Sequence, residues 1–113
     1  MKVTEGFRLF VLEQLAELKH VHARAMFGGV GLYADDIFFG LVAADTLYFK
    51  VDDSNRPAFE AAGMEAFRPY ADRGSPASMS YYQVPIRVIE DPAELAVWAR
   101  TAIQVARAAR KTR

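Results

Sequence analysis

Arg24-Ala25-Met26-Phe27-Gly28-Gly29-Val30-Gly31-Leu32-Tyr33 places three glycines in four positions of a run that is otherwise mostly apolar. A phosphate-binding loop needs Lys-Ser/Thr after its glycines, and a dinucleotide site needs G-x-G-x-x-G opening a helix. Neither pattern is present. The chain continues instead as Leu32-Tyr33-Ala34-Asp35-Asp36-Ile37-Phe38-Phe39, aromatic-rich strand sequence around a turn signal. Glycine inside a strand pattern marks a bulge or the close approach of another backbone or helix. The three glycines are therefore expected to be structural.

Working outward, Arg24 to Tyr33, Ile37 to Ala43 and Thr46 to Val51 form three strands. The connections Ala34-Asp35-Asp36 and Ala44-Asp45 are short enough for hairpins, which favours an antiparallel meander. In the third strand Leu47, Phe49 and Val51 share one face by period two, and Tyr48 and Lys50 share the other. Upstream, Phe7, Phe10, Val11, Leu15 and Leu18 recur every three or four residues. They predict an amphipathic helix from Thr4 to about Lys19, with Thr4 as N-cap and His20-Val21-His22 as a connector.

Downstream, Asp52-Asp53-Ser54 opens a second helix, with Asp53 or Ser54 as N-cap, Pro57 in the first turn and Gly63 closing it. Residues 64–78 form a loop holding a strand fragment from Glu65 to Arg68, and Met79 to Val84 is a strand ended by Pro85. Asp91, Pro92 and Glu94 supply the N-cap, N1 and N3 of a last helix whose apolar seam is Leu95, Trp98, Ala102, Val105 and Ala109. The expected fold is a single α+β domain, a two-layer sandwich of order α-β-β-β-α-β-β-α with an antiparallel sheet.

The 113 residues are enough for one core and contain no cysteine, which excludes disulfides, thiolate chemistry and sulfur-ligated zinc. No apolar stretch approaches the length of a membrane span and the N-terminus lacks a signal core, so a cytoplasmic, membrane-free protein is expected. The formal net charge is zero but unevenly spread. Residues 1–99 carry a balance of −5, and residues 100–113 carry +5 through Arg100, Arg107, Arg110, Lys111 and Arg113. Those five are the candidate nucleic-acid contacts, set against the simpler account that cations complement the C-terminal end of a helix dipole. On that balance DNA binding by the tail is expected to be weak and without sequence preference.

No constellation supports catalysis, a cofactor or a metal. His20 and His22 are the only histidines, and a third ligand is not evident near them. Asp35-Asp36 and Asp52-Asp53 fall where turns and caps favour aspartate. Ser75, Ser78 and Ser80 lack the glycine context of a nucleophile elbow. The candidate partner contacts are Tyr48, Lys50, Tyr81 and Tyr82; the adjacent tyrosines put one ring on each face of their strand, so one of the two belongs to the core. Fourteen aromatic residues exceed what a small two-layer domain easily buries, which predicts a homodimer that covers a sheet face or edge.

Met26-Phe27-Gly28-Gly29-Val30-Gly31-Leu32-Tyr33 also resembles the opening signature of the N-terminal domain of the TfoX/Sxy competence regulators. Leu47-Tyr48-Phe49-Lys50-Val51-Asp52-Asp53 running on to Asn55-Arg56, then Met79-Ser80-Tyr81-Tyr82-Gln83-Val84-Pro85, match that pattern in order. Asp91-Pro92 with Leu95 and Trp98 fits as well. The resemblance runs from about Arg24 into the last helix and corresponds to the first half of the full regulators. It implies a non-enzymatic role in the expression of natural transformation genes, exercised through a protein partner, a DNA-bound transcription activator.

Overall fold

The glycine-rich run folds back on itself. In the computed structural model, which describes residues 3–26, 28–68 and 78–111, it divides into β1 (Val21–Met26) and β2 (Gly29–Ala34). The two pair antiparallel, Met26 opposite Gly29 and Val21 opposite Ala34. Gly28 has φ 79° at the reversal, a conformation glycine adopts without steric cost. The single strand expected from Arg24 to Tyr33 is therefore corrected to a hairpin, and His22 lies in β1 instead of a connector. A Cβ on Gly29 would stand 2.7 Å from the Val42 carbonyl oxygen, so the expected close approach of a neighbouring backbone is present.

β3 (Ile37–Ala43) and β4 (Thr46–Lys50) continue the meander, followed by β5 (Ala66–Phe67) and β6 (Ser78–Gln83). The sheet order is β1-β2-β3-β4-β6-β5, and every pair is antiparallel. Leu32 opposes Gly40 while Tyr33 opposes Phe38, so Phe39 is the extra residue of a bulge. Ala44 and Asp45 both have positive φ, 52° and 53°, as a type I′ hairpin turn requires.

Among the described residues four helices accompany the sheet: α1 (Glu5–Gln14), α2 (Arg56–Ala61), α3 (Ile86–Ile89) and α4 (Pro92–Lys111). The Thr4 hydroxyl accepts from Phe7 N, as an N-cap should. Asp45 then fixes Thr4 to the β3–β4 turn by accepting from its backbone N at 2.7 Å and its hydroxyl at 3.1 Å. α1 ends at Gln14, short of the expected Lys19, because tight turns take over from Leu15.

The N-cap of α2 is Asn55, a correction to Asp53 or Ser54. The Asn55 amide is buried and ties the loop together, donating to the Lys50 carbonyl and accepting from Asp52 N. The Asp52 carboxylate is occupied by the Ser54 amide and hydroxyl. α3 has no counterpart in the sequence reading, since four residues show no helical period. In α4 the Asp91 carboxylate accepts from Glu94 N at 3.2 Å. Glu94 pairs with Arg87 instead of returning to Asp91 N, which donates to the Val88 carbonyl, so only half of the capping box forms.

The core lies between the helices and one face of the sheet. Leu32, Phe39, Leu47 and Phe49 from the strands meet Val11 of α1 and Leu15 just after it, Phe59 of α2, Val88 of α3 and Leu95, Ala99 and Ala102 of α4. The alanines let α4 lie close to β3 and β4, and Trp98 packs edge-on against Phe59 with ring centroids 4.8 Å apart. The fold is the expected α+β class with an antiparallel sheet. The element order is α-β-β-β-β-α-β-β-α-α, one strand and one helix more than expected.

Candidate binding face

The register that points Leu32, Phe39, Leu47 and Phe49 into the core points the alternate residues the other way. Those outward positions carry a row of rings. His22 stacks on Tyr33 with centroids 5.6 Å apart and planes at 16°. Tyr33 meets Phe38 at 5.2 Å, and Phe38 meets Tyr81 at 5.7 Å. Four rings from β1, β2, β3 and β6 thus run across the sheet. A second pair, Tyr48 on β4 and Phe67 on β5, makes an edge contact at 4.8 Å.

The floor beneath the row depends on glycine. A Cβ on Gly31 would lie 2.5 Å from Met26 Sδ and 3.1 Å from ring carbons of both Phe38 and Tyr33. Its absence lets these three side chains lie over the β2 backbone. Two cations sit on the rings: the Arg24 guanidinium is 5.4 Å from the Tyr33 centroid, and Lys50 Nζ is 5.1 Å from that of Tyr81. At one end the His22 ring nitrogen Nε2 is 2.8 Å from the Asp35 carbonyl oxygen, which fixes the ring's orientation. At the other end Glu65 stands beside Tyr48 and, after burial, adds to the rise of its hydroxyl pKa. Burial, helped by nearby Tyr33, pushes the Tyr81 hydroxyl up to about 12.

The four candidate partner contacts therefore separate. Tyr48, Lys50 and Tyr81 share the outer face. Tyr82 points into the core, is 4% exposed and donates from its hydroxyl to Glu60; it is the buried member of the adjacent pair. Arg24, Tyr33, Phe38 and Phe67 complete the face, although sequence reasoning alone does not reach them. Their common signal is period-two alternation on strands that are distant in sequence, visible only once the hairpin and bulge set the register.

The basic residues of α4 are dispersed. Arg100 pairs with Glu17 at 3.1 Å, and Arg110 pairs with the Asp36 carboxylate at 3.1 Å and reaches its carbonyl at 3.2 Å. Arg107 and Lys111 line a shallow depression with Arg110 beside Asp35 and Asp36. Arg113 lies outside the described residues. Arg100 and Arg110 thus meet acids of the body. His20 faces Asp35 at 3.8 Å, and no group of three metal-ligating side chains occurs among the described residues. No described helix is long and apolar enough to cross a membrane.

The model of the TfoX N-terminal domain family matches residues 13–106. The chain is similar to the DNA transformation protein TfoX1 of Aliivibrio fischeri (strain ATCC 700601 / ES114), at 30% identity over 95 residues. That match covers 84% of this chain and 45% of the relative, so the chain spans under half the length of the curated relative it matches.

Proposed function

Because this chain belongs to the TfoX N-terminal domain family, we propose that it is a non-enzymatic regulatory module of natural transformation, working in the cytoplasm by binding a macromolecule across the outer face of its sheet. The ring row from His22 to Tyr81, with Arg24 and Lys50 upon it, is the observation that carries this reading. A fold needs one apolar sheet face to build a core, and the helices already use the other one. Half-buried aromatic side chains on the second face serve recognition, for which Tyr, Phe, Met and Arg are the favoured residue types.

A protein surface, such as the activator implied by the family resemblance, is one occupant that the residue types of this face suit. Self-pairing through the face is disfavoured, because a twofold contact sets the same patch against itself and brings the Arg24 and Lys50 charges of two copies together. A homodimer would instead use the β1 edge, which has one neighbour in the sheet.

The test is genetic. The chromosomal copy is replaced by a Tyr33→Leu, Tyr48→Leu variant, and uptake of marked DNA is compared with the parent and a deletion strain. The expected frequency is that of the deletion, with the variant protein accumulating at the parental level. Parental frequency in that strain would contradict the proposal.

A further inference from the structure

The outer face joins stackable rings to cations, and we propose that its ligand is single-stranded nucleic acid. Bases would stack on Tyr33, Phe38 and Tyr48, and phosphates would meet Arg24 and Lys50. This rests on the reading that the outer face is the working surface. Every base has a π-face, so a ring row binds a strand with little sequence preference, while cations beside the rings follow the backbone.

Charge is the second argument. Among the described residues, the outward positions of β1, β2, β3, β4 and β6 hold no carboxylate, although the body as a whole is acidic. Asp35 and Glu65 stand at the two ends of the face, and Arg24 and Lys50 lie between them. An anionic ligand matches that arrangement, and a second copy of the same face does not.

Shape is the third. The Gly31 floor keeps the rings low on the sheet, and a flat face reaches bases only where they are unpaired. A duplex would offer its phosphates alone. The helix tail is the weaker site, since Arg100 and Arg110 are engaged by Glu17 and Asp36.

The experiment is fluorescence anisotropy of a labelled oligo-dT of about 12 nucleotides with the whole chain at low salt, beside a duplex of equal length. The single strand is expected to bind and the duplex to bind at least tenfold more weakly. Two phosphate contacts give a log–log salt slope of about −1.4. Tyr33→Leu with Phe38→Leu should weaken binding by about tenfold or more. Arg24→Glu, at an exposed position that keeps folding out of question, should weaken it severalfold. Neutralising Arg107, Arg110 and Lys111 together should leave it within twofold.

No binding of the single strand, equal binding of the duplex, or loss on tail neutralisation with the ring and Arg24 variants unaffected would each overturn the inference. If transformation depends on the face while no strand binds, the inference fails and the face still serves a protein ligand. If strands bind while transformation ignores the face, the regulatory reading fails instead.

Discussion

Phe38 and Phe39 are neighbours in sequence and lie on opposite sides of the sheet, and the two sides are built on different terms. Phe39 is fully buried, packs on Phe49 at 5.7 Å and belongs to a core closed by all four helices. Phe38 is half-buried between Tyr33 and Tyr81 in a row made by strands. The inner face is mostly aliphatic, and its largest rings are each enclosed. The outer face is aromatic, carries two cations and lies over glycine. The difference teaches that the helices account for one set of apolar residues only, and that the second set answers to something outside the core.

The largest expected effect breaks this pair apart. Phe39→Ala should cost about 3–5 kcal/mol, enough to unfold a domain of this size or leave it marginal. Phe38→Ala should cost about 1–2 kcal/mol, the worth of a half-buried ring. Urea melts of both variants check this, and equal costs would erase the distinction between the faces.

Gly29→Val comes next. Its side chain would press on the Val42 carbonyl, and a loss of roughly 1–3 kcal/mol is expected from overpacking or strain. Differential scanning calorimetry provides the check, and an unchanged melting temperature would show that the hairpin does not need this glycine.

Tyr81 sharpens the comparison by pH. Its hydroxyl titrates at about 12 in the folded chain against 10.0 ordinarily, so the neutral form is favoured by folding. That stabilisation is fully present below about pH 10 and is lost as pH rises toward about 12. Tyr81→Phe should flatten the alkaline fall in stability over this window, followed by circular dichroism. An unaltered fall would place Tyr81 in contact with water.

Much of this architecture is legible in the sequence. The Thr4 cap, the Asp91-Pro92 start of α4, the β3–β4 hairpin and the opposite facing of Leu47/Phe49 and Tyr48/Lys50 all follow from local rules, and the structure has them. The β1–β2 reversal is not legible, because Gly28 turns the chain inside an apolar run with no Asn, Asp or Pro to mark it. Asn55 is hidden behind Asp53 and Ser54, equally capable caps, and its choice depends on the Lys50 carbonyl that its side chain reaches. The binding face is half visible. Tyr48, Lys50 and Tyr81 are outward by alternation, but their joining with Tyr33 and Phe38 depends on a sheet order and a bulge that periodicity alone does not fix.

The smallest expected effect belongs to the tail. Arg110→Ala should change stability by about 0–1 kcal/mol, since its pair with Asp36 is exposed. A larger loss, read from urea melts, would make the tail a structural strap and alter the contrast between a folding face and a binding face.

The division of labour between the faces is tested most directly by following backbone amide resonances of the whole chain during titration with oligo-dT. Saturable shifts are expected at Arg24, Tyr33, Phe38, Tyr48, Lys50 and Tyr81, with α4 from Arg107 to Lys111 unmoved. Shifts concentrated on that end of α4, with the outer face silent, would contradict it.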